Sequence, residues 1–473
     1  MASCANAKLN SEIKTYDEAN KNTKARSASM YSPQARINTT VSSSETSTIN
    51  ISDQGPHTII IQSNGTLGSI GNNDRIIYAH ANGSNTLTLT NLTNNGTING
   101  KVAVENSGNF TGTITVNTFE NTGQVNGQIY MGVWGGNSGT LNIDKFDNSG
   151  TINSSSDLGV YFEGKNTNIQ TFNNTGTISS SGNGWRPSGL KINGATIQNL
   201  QNSGSIITTS SGVALGVQIS GASIENFKNS GTISGILGAY VEWSNIKTLE
   251  NSGIIKATSK ESWSAGIKLE NGGTIENIIN TGTIESNTYG IVLLKGNFGT
   301  LTLKDGGIIS SKESGITVYD GQTLGDLYID GSSKDGPVSG IYSEKTGIYL
   351  TDLSKTGKIE LKNGGIIKGK VHGIMLENGA SLSGEMILSG EGSRVEGGRG
   401  AGITNSNGKI EGSITIKDGA TVTSTSNQAI SNSGSGSITG SITVSGKNTK
   451  LEGNIINTGN ASIGSDIKIE DGA

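Results

Sequence analysis

The stretch Ile224-Glu225-Asn226-Phe227-Lys228-Asn229-Ser230-Gly231-Thr232-Ile233 decides the fold. It reads apolar, two polar, apolar, any, Asn, small, Gly, small, apolar. The same phrase starts at Leu89, Val116, Ile143, Ile169, Ile197, Ile224, Ile246 and Ile275, in steps of 27, 27, 26, 28, 27, 22 and 29 residues. A near-constant period in this range marks a repeat array, in which one supersecondary unit stacks on the next.

Each period holds three short apolar segments. Between residues 197 and 224 they are Ile197 with Leu200, Ile206 with Ile207, and Gly216-Val217-Gln218-Ile219. Gly, Ser and Asn bound each segment, which is the punctuation of strands and turns. The segments are too short and too often broken by Gly for helices. Three strands in about 27 residues predict an all-β chain, a right-handed three-faced parallel β-helix (a solenoid) with one period per coil. A propeller blade needs about 40 residues or more, and a leucine-rich repeat needs a strand-plus-helix unit, so both fit less well.

Alternation assigns the two sides of the Gly-led strand. Inward are pairs such as Val160/Phe162, Leu190/Ile192, Val217/Ile219, Ile267/Leu269 and Ile374/Leu376. Outward between the pairs fall Tyr161, Lys191, Gln218, Tyr240, Lys268, Val292, Thr317, Tyr349 and Met375. The recurring glycines Gly96, Gly123, Gly150, Gly176, Gly204, Gly231, Gly253 and Gly282 are expected to turn a corner at positive φ. Two residues before them stand Asn94, Asn121, Asn148, Asn174, Asn202, Asn229, Asn251 and Asn280. They are expected to stack as a structural ladder that hydrogen-bonds from coil to coil.

From residue 301 the phrase changes to Leu301–Ile309 (LTLKDGGII), Ile359–Ile367, Ile414–Val422 and Ile467–Ala473, with the period kept. The expected organisation is an arm over 1–36, an N-terminal cap and first coils over 37–88, NSGTI-type coils over 89–300, and DGG-, NGG- or DGA-type coils over 301–473. The chain stops on a repeat phrase, which suggests a longer protein. About fifteen coils at about 4.8 Å each would give a rod of about 70 Å.

Composition narrows the function. The 473 residues include 71 Gly but only 4 Pro, 15% are charged, and the net charge is −4. This is neither a collagen nor a Pro-rich linker, and it has no broad basic footprint for nucleic acid. No apolar run reaches the roughly 18 residues of a membrane helix. The single cysteine, Cys4, excludes an internal disulfide and any Cys-based metal site. The scarcity of cysteine suits export through an oxidising compartment. Ala2-Ser3-Cys4 matches the tail of a bacterial lipobox, which makes Cys4 a candidate lipid anchor; the alternative is a stray thiol.

Residues that could carry catalysis are sparse. His57, His80 and His372 are far apart in the chain, whereas a triad needs Ser, His and an acid together. Gly136-Asn137-Ser138-Gly139 resembles a nucleophile loop, yet Asn-Ser-Gly is ordinary repeat text here. Acidic residues are scattered and often sit beside Lys. Asp305, Asn363 and Asp418 precede Gly and read as turn residues. We therefore expect no enzyme, no catalytic residues, no metal and no cofactor.

The aromatic residues are the best candidates for binding. Trp134, Trp185, Trp243 and Trp263 flank the Gly-led strand, Tyr130, Tyr161 and Tyr240 project from it, and Lys191 and Lys268 stand between. Aromatic faces with polar neighbours suit sugars or protein hot spots. The competing reading is that the tryptophans cover loop corners and the tyrosines merely form strands.

The NSGTI-type phrase in a Gly/Ser/Thr/Asn-rich β-helix resembles the passenger domains of bacterial autotransporters, most closely those of Campylobacter and Helicobacter and, with the Ala-Ser-Cys start, the Campylobacter autotransporter lipoprotein adhesins. The likeness covers roughly residues 40–473 and rests on a structural repeat. It implies export, a C-terminal translocator β-barrel outside this sequence, and display at the bacterial cell surface or outer membrane. It also implies an adhesin role in virulence, with a host-cell surface protein or glycan as partner. Self-association of the chains, or a vacuolating-toxin-like role, is the alternative. Contact with a membrane would come only through the lipid anchor or the absent barrel.

Overall fold

The computed structural model describes residues 37–52, 54–69, 74–210, 212–332 and 336–473. The arm over 1–36 and Cys4 lie outside them. Every regular element among the described residues is a β-strand, and the chain winds through about fifteen coils of roughly 27 residues. It forms two compact units. The first runs to Gly184 and includes Leu190–Gln198; the second holds Trp185–Gly189 and Asn199–Ala473. Each unit is a parallel β-helix.

One coil of the first unit shows the plan. A long strand, Thr140–Asn148, is followed by a middle strand, Thr151–Ser154, and a Gly-led strand, Leu158–Glu163. Each pairs in parallel with its counterpart one coil away. Ile143 faces Val116, Phe146 faces Phe119, Ile152 faces Val125, and Phe162 faces Met131. Coiling begins at the first described residues, since Ile37–Val41, Ser44–Glu45 and Ile49–Ile51 already pair with the next coil. In the second unit the same plan continues through Gly-led strands such as Leu215–Ser220, Ala265–Glu270 and His372–Glu377.

Alternation builds the core. All the inward pairs of the Gly-led strands are at most 2% exposed. In the first unit Phe119, Phe146 and Phe172 stack with centroids 4.5 and 5.0 Å apart, and Phe162 meets two of them edge-on. Side chains in a column bury one another, so burial depends on the neighbouring coil. Ile442 and Val444 are buried, whereas their register partners Ile467 and Ile469 are 45% and 67% exposed.

The asparagines form ladders within each unit. Nδ2 of Asn94 donates to Oδ1 of Asn121, Asn121 to Asn148, and Asn148 to Asn174, all at 2.7 Å. In the second unit Asn202, Asn229, Asn251 and Asn280 repeat the chain at 2.7 Å. The ladder is buried. Each rung therefore satisfies its neighbour's amide where water cannot. A second ladder, Asn405 to Asn432 to Asn457 at 2.8 and 2.7 Å, follows later Gly-led strands and escaped the sequence reading, which tracked only the NSGTI phrase.

The corner glycines require a correction. None of Gly96, Gly123, Gly150, Gly176, Gly204, Gly231, Gly253 or Gly282 has positive φ. They are glycine because successive coils touch backbone to backbone. At Gly150 the amides of Ser149 and Gly150 both donate to the carbonyl of Asn121, at 2.8 and 2.9 Å. A Cβ on Gly150 would lie 2.1 Å from the oxygen of Gly123. Positive φ falls instead at the pairs Asp305-Gly306, Asn363-Gly364 and Asp418-Gly419, where two successive left-handed residues make a tight turn. Gly150→Ala is expected to cost about 3 kcal/mol, as overpacking against backbone that cannot retreat. Urea unfolding checks this through a lowered midpoint.

Candidate ligand-binding faces

The outward side of the Gly-led strand is not the open surface that alternation suggests. Tyr130 is 5% exposed, Gln218 3%, Tyr240 1% and Thr317 0%. Tyr161, Lys191 and Lys268 are half-buried. In the second unit Tyr240 joins Leu215, Leu237, Ala265 and Val292 in an apolar cluster, onto which Val213, Trp263, Tyr289 and Tyr319 pack. Residues at both ends of the Gly-led strands, Val213 and Trp263 before them and Tyr319 after, thus fold over it and add a second layer. Alternation tells which way a side chain points and not what lies above it.

In the first unit Tyr130 and Tyr161 are register partners with ring centroids 5.3 Å apart. Nζ of Lys101 lies 4.5 Å from the Tyr130 centroid, and Nζ of Lys191 lies 5.3 Å from that of Tyr161. The Tyr130 hydroxyl donates to Oε2 of Glu163 at 2.7 Å, and Nδ2 of Asn193 donates to the Tyr161 hydroxyl at 3.4 Å. Burial, helped by Glu163, pushes the Tyr130 phenol far up. Burial also raises Glu105, which Arg75 holds at 2.6 Å, and lowers Lys101.

The second unit repeats the theme. The Tyr240 hydroxyl lies 2.9 Å from Oε2 of Glu242 and 2.9 Å from Oε2 of Glu270. One proton serves two carboxylates there. Cations offset that cluster: Arg186 pairs with Glu242 at 3.2 Å and Lys268 with Glu270 at 3.3 Å. The Arg186 guanidinium also lies 4.8 Å from the Tyr240 centroid and 5.2 Å from that of Trp185. Lys191 and Lys268 thus engage a ring and a carboxylate of the protein itself.

Three of the four tryptophans reach solvent. Trp134 is 44% exposed, Trp185 83% and Trp243 63%, whereas Trp263 packs on the cluster beneath it. Trp134 is fixed by Asn106: its amide donates to Oδ1 of Asn106 at 2.8 Å and its Nε1 to the Asn106 carbonyl at 3.2 Å. Trp243 follows the buried Glu242 and takes a φ of 48°, which costs a non-glycine residue roughly 1–2 kcal/mol. That conformation carries its indole off the strand and outward.

The sequence reading missed the carboxylates. Glu163 and Glu242 each stand two residues after an outward Tyr, on the same side of the strand, and Glu270 stands likewise after Lys268. That Tyr-x-Glu spacing was the available signal. The histidines serve local contacts: His80 faces the Ser107 hydroxyl at 3.2 Å and His372 that of Thr404 at 2.8 Å. Asn137, in the nucleophile-like string, closes its own turn by donating to the Trp134 carbonyl at 2.5 Å. Among the described residues no three His, Cys, Asp or Glu side chains converge as a metal site, and no helix could cross a membrane.

The buried phenols set an alkaline limit on stability. Burial, reinforced by a hydrogen bond to Glu377, pushes Tyr349 up to about 12, and burial also raises Tyr130, Tyr161 and Tyr240. An unfolded tyrosine loses its proton near pH ~10. Between that value and the folded one the native state binds more protons than the unfolded chain, so stability falls as pH rises. Thermal unfolding midpoints should hold up to about pH 10 and drop steadily towards pH 12.

No family model matches the chain, and neither a curated protein nor a solved structure matches it.

Proposed function

We propose that this chain is an exported passenger, displayed on the bacterial surface, that adheres to host cells through the turns flanking its Gly-led strands. One observation carries the reading. Trp134, Trp185 and Trp243 present exposed surface from turns held by hydrogen bonds to Asn106 or by the partly buried Arg186–Glu242 pair. An exposed indole on a rigid support suits a binding hot spot, because little side-chain entropy is lost when a partner covers it. The repeat supports the same reading. Columns of identical residues hold the coils, which leaves the turns free to differ, and recognition belongs to such turns.

Self-association of the chains is the second reading, since exposed tryptophans also suit contact between copies. The test is attachment of the purified chain to cultured epithelial cells. Trp134→Ala, Trp185→Ala and Trp243→Ala are measured beside it, with sedimentation velocity for each. Adhesion predicts saturable attachment that falls about tenfold or more in at least one variant, with the mass unchanged. Attachment that is absent, together with concentration-dependent dimers that the same substitutions abolish, would establish self-association instead.

A further inference from the structure

We infer that the first unit carries a binding site for one neutral hexopyranose ring, in the cavity between the turns at 133–137 and 163–166. The inference deepens the adhesin reading and rests on it for its biological role. The cavity has a volume of about 280 Å³. Trp134, Asn137, Glu163, Lys165, Asn166 and Asn193 line it.

Part of its lining is bare backbone. Gly135, Gly136, Gly164 and Gly194 line it at φ of 76°, 71°, 101° and 80°. A Cβ on Gly164 would lie 1.9 Å from the Val133 oxygen, so no side chain fits there. At Gly164 the same coil-to-coil contact operates as at the corners.

Its walls are preorganised. Two bonds to Asn106 fix Trp134, and Asn137 ties the turn through the Trp134 carbonyl. Asn166 donates to the Asn137 carbonyl at 3.1 Å, which joins the two turns. Glu163 is held through Oε2 by the Tyr130 hydroxyl, and Asn193 is oriented by the Tyr161 hydroxyl.

The chemistry selects a sugar. A pyranose ring has one C–H face, which packs on an indole, and an edge of hydroxyls that both donate and accept. Glu163 supplies an acceptor, since a carboxylate has about four lone-pair sites. The amides of Asn166 and Asn193 can both donate and accept, whereas that of Asn137 serves its own turn, accepting from the Phe110 amide at 2.7 Å and donating to the Trp134 carbonyl. Val133 is the only aliphatic side chain in the lining, so an apolar peptide anchor finds little to bury against. One carboxylate and one ammonium give no net charge, which favours a neutral ring over an acidic one. The volume lies just below the usual range of small-molecule pockets, roughly 300–1,000 Å³, which limits the fit to one ring with its neighbours outside.

The test is isothermal titration calorimetry of the full chain with the methyl glycosides of galactose, glucose and mannose. At least one should bind saturably. Trp134→Ala should abolish the heat, Glu163→Gln and Asn193→Ala should each weaken binding about tenfold, and Lys417→Ala, outside the cavity lining, should leave it unchanged. Circular dichroism of each variant separates a lost site from a lost fold. If none of the three glycosides binds, or if binding survives Trp134→Ala and Glu163→Gln in folded protein, the inference is wrong. The two readings fail separately. Attachment to periodate-treated cells without glycoside binding removes the sugar site and keeps the adhesin. Glycoside binding without attachment to cells does the reverse.

Discussion

The structure depends on axial register: each coil must sit directly over the equivalent residues of the coil before it. Two contacts enforce this together. The asparagine ladder needs every amide within hydrogen-bond reach of the next, which fixes both height and rotation. The corner glycines let the backbones come close enough for it. A slip of one residue would turn Ile and Phe outward and bury Lys and Asn, so the hydrophobic term favours the same register. Lys–Glu pairs between coils, such as Lys256–Glu285 and Lys368–Glu396, follow that register but lie at the surface. Such pairs contribute about 1 kcal/mol or less each.

Register also organises the surface. A residue type that recurs at one position becomes a column, so tyrosines, cations and carboxylates assemble from residues a little over a coil apart in sequence. Tyr130 meets Glu163 and Tyr240 meets Glu270 in this way. The columns are largely self-satisfied, and loops cover much of them. What stays free is the turn, and there the chain places its exposed tryptophans and a hollow lined in part by glycine. The proposed binding functions belong to these irregular places, where repetition no longer dictates the residue.

The sequence made the solenoid legible because its period, its alternation and its Asn–Gly phrase all derive from one contact repeated in every coil. The ladder of Asn94 to Asn174 was readable for the same reason. The purpose of Gly150 was not. A glycine at a corner suggests positive φ, and only the distance to Gly123 in the next coil shows a steric demand instead. The burial of Tyr240 was hidden too, because Trp263 and Val213 reach it from loops with no periodic signal. Glu163 and Glu242 were visible as a Tyr-x-Glu spacing, but the partners that give them meaning lie up to 56 residues away, as Arg186 does for Glu242.

Cross-linking tests the axial register most directly. Thr115 and Asn142 are register partners in adjacent long strands, both on the outward side. Their Cα atoms should be about 4.8 Å apart, within disulfide range, whereas Thr115 and Thr140 should be roughly 8 Å apart and beyond it. With Cys4 replaced by Ser, Thr115→Cys with Asn142→Cys should oxidise rapidly to an intramolecular disulfide, and Thr115→Cys with Thr140→Cys should not. Efficient closure of the second pair, or failure of the first in folded protein, would contradict the stacking on which everything above rests.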